Sequence, residues 1–119
     1  MKRFLWVHGP TILWAMLIFI LSSLPSLKTP DLGFSMQDKV SHLIEYGIFG
    51  IFLQRSFTSL YGNSLKSYVL VFLVGTAYAG LDEVHQTFVD GRNADFSDYC
   101  ADTVGIVLSQ LLFWKFKRV

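Results

Sequence analysis

Residues 67–88 read SYVLVFLVGTAYAGLDEVHQTF. The first fifteen positions carry no charge. At about 1.5 Å rise per residue the whole stretch makes about 33 Å of helix, enough for a hydrocarbon core of about 30 Å. Its last third turns polar with Asp82, Glu83, His85 and Gln86. On a helix Gly75, Ala79, Asp82 and Gln86 fall on one stripe, with Glu83 beside it and His85 on its flank. The small pair lets a neighbouring backbone approach. Charges this close to lipid are expensive and belong on the bundle interior or a wet cavity.

Outward from this segment lie three more of similar length and character, at about 4–24, 39–60 and 96–116. The stretches between them carry turn signals: LPSLKTPDLG at 24–33, YGNS at 61–64 and VDGRN at 89–93. The 119-residue, 13.5 kDa chain is therefore expected to be one domain. The expected fold is all-α, a polytopic bundle of four transmembrane helices. Composition agrees: 52% of residues are hydrophobic and only 16% charged, and the mean hydropathy is +0.44, where average globular chains carry about 25% charge.

A net charge of +1 with no basic stripe away from the termini argues against a nucleic-acid partner. The lone Cys100 excludes an internal disulfide and a cysteine-based zinc site. The first segment, behind Lys2 and Arg3, is read as a retained anchor, because its apolar run exceeds the usual core of a cleaved signal peptide.

Basic residues set the expected orientation. With both termini inside, Lys2, Arg3, Arg55, Lys66, Lys115, Lys117 and Arg118 lie on the cytoplasmic side, and Lys28, Lys39 and Arg92 outside. All nine acidic residues then fall in or open toward the outer half. The multi-pass chain is expected to have the lipid bilayer as its first partner.

Two more stripes join the first. On the second helix Asp38, His42, Glu45 and Phe49 follow steps of four, three and four, with Tyr46 beside them and Glu45 about 10 Å deeper than Asp38. On the fourth, Asp95, Asp98, Asp102, Gly105 and Ser109 step by three, four, three and four, and Asp95 is the natural N-cap. The polar ends of all three helices reach the same surface, so the clusters are expected to meet. Gly91 can turn the intervening loop and bring Arg92 back onto the carboxylates.

These residues resemble the VanZ-like family, small bacterial membrane proteins named for a teicoplanin-resistance protein. Asp38-Lys39-Val40-Ser41-His42 with Tyr46 is similar to the family's Asp-Lys-x-x-His-x-x-x-Tyr. Asp82-Glu83-Val84-His85-Gln86 is similar to its Asp-Glu-x-x-Gln. Val89-Asp90-Gly91-Arg92 resembles its Pro-Gly-Arg turn, with Asp90 where proline is common, and Asp98-x-x-x-Asp102-x-x-Gly105 resembles its closing motif. The resemblance covers most of the chain. It implies a cell-envelope setting in the bacterial cytoplasmic membrane and, through the namesake, a link to glycopeptide susceptibility. A phosphotransbutyrylase label also attached to the family finds no support, since no glycine-rich phosphate loop is present.

Three functional classes fit these residues. In an enzyme acting on a lipid-linked, phosphorylated envelope precursor, Glu83, His42, Asp82 and Arg92 form the catalytic set. Asp38, Lys39, Glu45, Tyr46, Gln86 and Arg92 then bind substrate, with His42 or Glu83 moving a proton and Arg92 holding phosphate. The identity of any cofactor is open; a divalent cation is the candidate, with Asp98 and Asp102 as its first ligands. In a non-catalytic binding or transport-like module the same pocket takes an amine, an ion or a headgroup, and a homodimer supplies the repeat that one chain lacks. In a scaffold, the carboxylates pair with Arg92 and Lys39 and only lock the bundle. Elsewhere plain packing suffices: His8 near Pro10, the three tryptophans, His85 at the rim, and Arg55 snorkelling at the cytoplasmic end.

Overall fold

The computed structural model describes residues 2–23, 37–89 and 96–117. They form four helices, α1 (Lys2–Ser23), α2 (Gln37–Tyr61), α3 (Leu65–Gln86) and α4 (Phe96–Lys117), with no strand among the described residues. The all-α class expected from the sequence is what the chain adopts.

The turn between α2 and α3 is written locally. Gly62 takes φ = 78°, a conformation open to glycine, and its N–H returns to the Thr58 carbonyl at 2.8 Å. Two residues later Ser64 caps α3, its hydroxyl accepting from the Ser67 N–H while the Ser67 hydroxyl accepts from the Ser64 N–H. A connection this short forces α2 and α3 to run antiparallel.

By length and composition α1 and α3 are able to cross a membrane. The described residues are also sorted against water: eleven polar side chains are buried, against seven hydrophobic ones. Meanwhile Trp6, Leu13, Leu65, Leu81, Phe88 and Phe96 are 67–81% exposed. Water-soluble folds sort the other way, and an apolar exterior of this kind suits a membrane-associated protein.

Among the described residues α2 and α3 each touch all three other helices, whereas α1 and α4 do not touch. Side-chain pairs fix the directions. Lys39 meets Asp98 and His42 meets Asp102, so α2 and α4 run parallel. Ser22 meets Asp82 and Ala15 meets Tyr78, so α1 and α3 run parallel the other way.

The closest approach is between α2 and α4. A Cβ on Gly105 would sit 2.5 Å from the Leu43 carbonyl oxygen and 3.0 Å from the Gly47 nitrogen, both backbone atoms that cannot rotate away. A Cβ on Gly50 would collide with the Ser109 hydroxyl and lie 3.2 Å from Ile106 Cα. Small residues on both helices therefore allow near backbone contact, as membrane helix pairs commonly do. On the other side of α4, Ile106 fills the space over Gly75, where a Cβ would approach its Cδ1 to 2.7 Å. The small end of the α3 stripe thus seats α4.

Gly105→Val is expected to cost about 1–3 kcal/mol, the usual range for overpacking, read as a lower Tm in detergent. Gly9→Ala, whose Cβ meets nothing within 4 Å, is expected to leave Tm unchanged or raise it.

Candidate functional site

The polar residues gather at the end of the bundle where α1 and α3 finish and α2 and α4 begin. Asp82 is 7% exposed and fully engaged. Its Oδ1 accepts from the Ser22 hydroxyl of α1, and its Oδ2 accepts from Tyr46 Oη of α2 at 2.8 Å. Gln86, one turn beyond Asp82, donates from Nε2 to the Ser22 hydroxyl at 3.5 Å. A single aspartate thus ties α1, α2 and α3 together, and neither of its oxygens is left over.

His42 is the second centre. Its Nδ1 lies 2.8 Å from Asp102 Oδ1, and its Nε2 lies 3.8 Å from Asp98 Oδ2. The two aspartates, four residues apart on α4, therefore flank opposite edges of one imidazole. Asp98 divides its carboxylate, since Oδ1 takes the Lys39 ammonium at 2.5 Å. Asp102 is fully buried, and its Oδ2 has no hydrogen-bond partner among the described residues. Glu83 is 8% exposed, and His42, Glu83 and Asp98 each bring one nitrogen or carboxylate oxygen within 4.8 Å of the others. Imidazole and carboxylate in this arrangement can hold and pass a proton, or chelate a cation.

Of the residues singled out in the sequence, Lys39, His42, Tyr46, Asp82, Glu83, Gln86, Asp98 and Asp102 are brought together here. Glu45 lies close enough to His42 and Tyr46 to act on both electrostatically, and it also lines a groove between α1 and α2 with Trp14, Leu17 and Ile48. Trp14 Nε1 donates to the Glu45 carbonyl at 2.9 Å. The side chain of Asp38 and all of Asp90, Arg92 and Asp95 lie outside the described residues. His85, expected at the rim, stacks on Phe19 and lies 2.9 Å from the Ser23 hydroxyl, so it joins α3 to α1. Arg55 donates to the Trp6 carbonyl at 2.9 Å with its guanidinium over the Trp6 ring.

Sequence reasoning missed three groups. Ser22 at the end of an apolar run is one. The glycine pair Gly47 and Gly50, one helical turn apart, is another; its signal is small residues in an otherwise bulky segment. Gln54 and Gln110 form a second, deeper polar layer. Gln110 Nε2 donates to Gln54 Oε1 at 2.9 Å and to the Tyr68 carbonyl at 2.7 Å, and Gln54 Nε2 donates to the Ser67 hydroxyl at 3.2 Å. An amide inside an apolar run was the available clue, because it must find a partner.

The fold and this centre define a small helical, membrane-associated protein with an ionisable interior. A family model described as VanZ/LLP1 matches residues 9–117, from the first turns of α1 to the end of α4. The chain belongs to that family, as its ordered motifs indicated, and is a VanZ-type envelope protein. Neither a curated protein nor a solved structure matches it.

Tyr46→Phe and Ser22→Ala each remove one donor from Asp82. Each is expected to lower stability by about 0.5–2 kcal/mol. Because both act on the same carboxylate, the double variant is expected to deviate from additivity by 0.5 kcal/mol or more, roughly the threshold for coupled neighbours. Thermal unfolding of the four proteins in one detergent closes that cycle.

Proposed function

We propose that the chain crosses the bacterial cytoplasmic membrane four times with both termini inside. In this reading the polar centre acts as an enzyme on a lipid-linked, phosphorylated envelope molecule presented from the outer leaflet. The observation that carries it is His42, held by Asp102 on one ring edge and facing Asp98 on the other, in a bundle with an apolar exterior. A carboxylate on one nitrogen fixes the ring and leaves the other nitrogen to exchange a proton with substrate.

Roles follow from placement. His42 and Glu83 move the proton. Asp82, with both oxygens engaged by Ser22 and Tyr46, holds the helices that carry them. Lys39 stands at the same end of the bundle, and Arg92, on the connection from α3 to α4, is a second cation suited to phosphate. The groove between α1 and α2, about 300 Å³ in volume, is apolar apart from Ser41 and Glu45 and suits a lipid chain whose headgroup enters the centre. Orientation rests on the seven basic residues assigned to the inner ends against three at the outer. The link to teicoplanin susceptibility belongs to this proposal and rests on family membership.

Lipid-linked envelope precursors are compared by mass spectrometry in cells lacking the protein, cells expressing it, and cells expressing Glu83→Gln at matched abundance. A species that changes mass with the wild type alone is the expected result. An unchanged lipid profile with altered teicoplanin susceptibility would replace catalysis by binding or scaffolding. For topology, Cys100 is replaced and single cysteines are placed at Asn63 and Asn93. Impermeant reagents are expected to label them from opposite sides, and same-side labelling would overturn the four-span arrangement.

A further inference from the structure

We infer that His42, Glu83 and Asp98 form a binding site for one divalent first-row transition ion, with Asp102 as the group that orients His42 toward it. Three features of the same centre point to an ion.

The first is the spacing. One atom from each of the three side chains lies within 4.8 Å of the others, although the helices that carry them, α2, α3 and α4, are distant in sequence. An ion about 2.0–2.2 Å from each nitrogen or oxygen ligand holds its ligands no more than about 4.4 Å apart. Small rotations of the side chains close that difference. The second is the state of the imidazole. Nε2 and Asp98 Oδ2, at 3.8 Å, are too far apart for a hydrogen bond yet suitably spaced as two ligands of one ion. Nδ1 meanwhile is held by Asp102 Oδ1 at 2.8 Å. A carboxylate behind one imidazole nitrogen and a ligand position in front of the other is the usual outer support of a metal-bound histidine.

The third is Asp102 itself, fully buried with Oδ2 unbonded. A buried carboxylate that, among the described residues, is held through His42 alone is costly in this setting. It becomes favourable where the imidazole in front of it shares a dication's charge. Asp98 is compatible with both its neighbours, since Lys39 occupies Oδ1 and Oδ2 is the atom turned toward His42. The donor set, one imidazole nitrogen and two carboxylates, selects Zn²⁺ or Mn²⁺ over the all-oxygen preferences of Ca²⁺ and Mg²⁺. The assignment differs from the one read from sequence, where Asp98 and Asp102 were the first ligands. Here Asp102 stands behind the histidine, and Glu83 from α3 takes its place.

The inference stands apart from the lipid reading, because metal is measured with no substrate present. Full-length protein in detergent is stripped with chelator, dialysed against Zn²⁺ or Mn²⁺ alone, and assayed for metal per chain. Loading with Co²⁺ gives a visible d–d spectrum that reports nitrogen and oxygen ligands without any variant. One ion per chain and a Co²⁺ spectrum in the wild type are expected. His42→Gln and Asp98→Asn are expected to weaken binding at least about tenfold, and Asp102→Asn by about 10- to 100-fold with the Co²⁺ band shifted. Gel filtration and circular dichroism confirm that each variant is folded. Less than about one tenth of an ion per wild-type chain, or binding unchanged in a folded His42→Gln protein, would overturn the site. Full lipid conversion by stripped protein in chelator would also overturn a working metal while leaving the lipid reading intact. One ion per chain with no lipid change would uphold the site and remove only that reading.

Discussion

Everything at the polar end depends on how closely α2 and α4 approach. With Gly105 set against Leu43 and Gly47, and Gly50 against Ser109, the two backbones are nearly in contact. Both run in the same direction, so the register set by the glycines repeats up the pair. Two turns above Gly50 and Ser109, His42 faces Asp102, and a turn further Lys39 faces Asp98. A side chain at Gly105 would push the helices apart and open the ion pairs before changing any of their residues. Packing in the lower half thus sets distances in the upper half, where the chemistry lies.

The second constraint is solvation. Where lipid rather than water covers an apolar exterior, burial gives helices no drive to associate, and close packing and interior hydrogen bonds have to hold them together. This chain uses two polar layers. Ser22, Tyr46, Asp82 and Gln86 join α1, α2 and α3 at one level, while Gln54, Ser67 and Gln110 join α2, α3 and α4 below. Each layer leaves one helix out, α4 above and α1 below. At the upper level α4 is tied instead through His42 and Lys39, and α1 is fastened lower down by Thr11, whose hydroxyl donates to the Phe52 carbonyl at 3.0 Å. The residues that secure α4 are therefore those with chemistry to offer.

That overlap explains why role and support are hard to separate from a motif alone. Asp82 and Glu83 are adjacent in sequence and both buried. Their side chains point about 100° apart around the helix. Asp82 turns toward Ser22 and Tyr46 and has both oxygens occupied, whereas Glu83 brings an oxygen within 4.8 Å of His42 and Asp98. In the motif the two carboxylates look interchangeable; in the bundle one is engaged by Ser22 and Tyr46, and the other lies within 4.8 Å of atoms of His42 and Asp98.

The sequence by itself determined that the chain is all-helical, where α2 turns into α3, and which family it belongs to. These are local properties, written in runs of apolar residues, in Gly62 and Ser64, and in ordered short motifs. Periodicity also showed that the carboxylates lie on single stripes, since 3.6 residues per turn is independent of what a helix packs against. Only the tertiary structure decided which stripe faces which. The pairing of α2 with α4 depends on the fit of Gly47 and Gly50 to Gly105 and Ser109, a relation between residues more than fifty positions apart that leaves no periodic trace. For the same reason Asp98 and Asp102, neighbours on one helix face, look like two ligands of one site in the sequence. An imidazole from another helix, inserted between them, separates their roles.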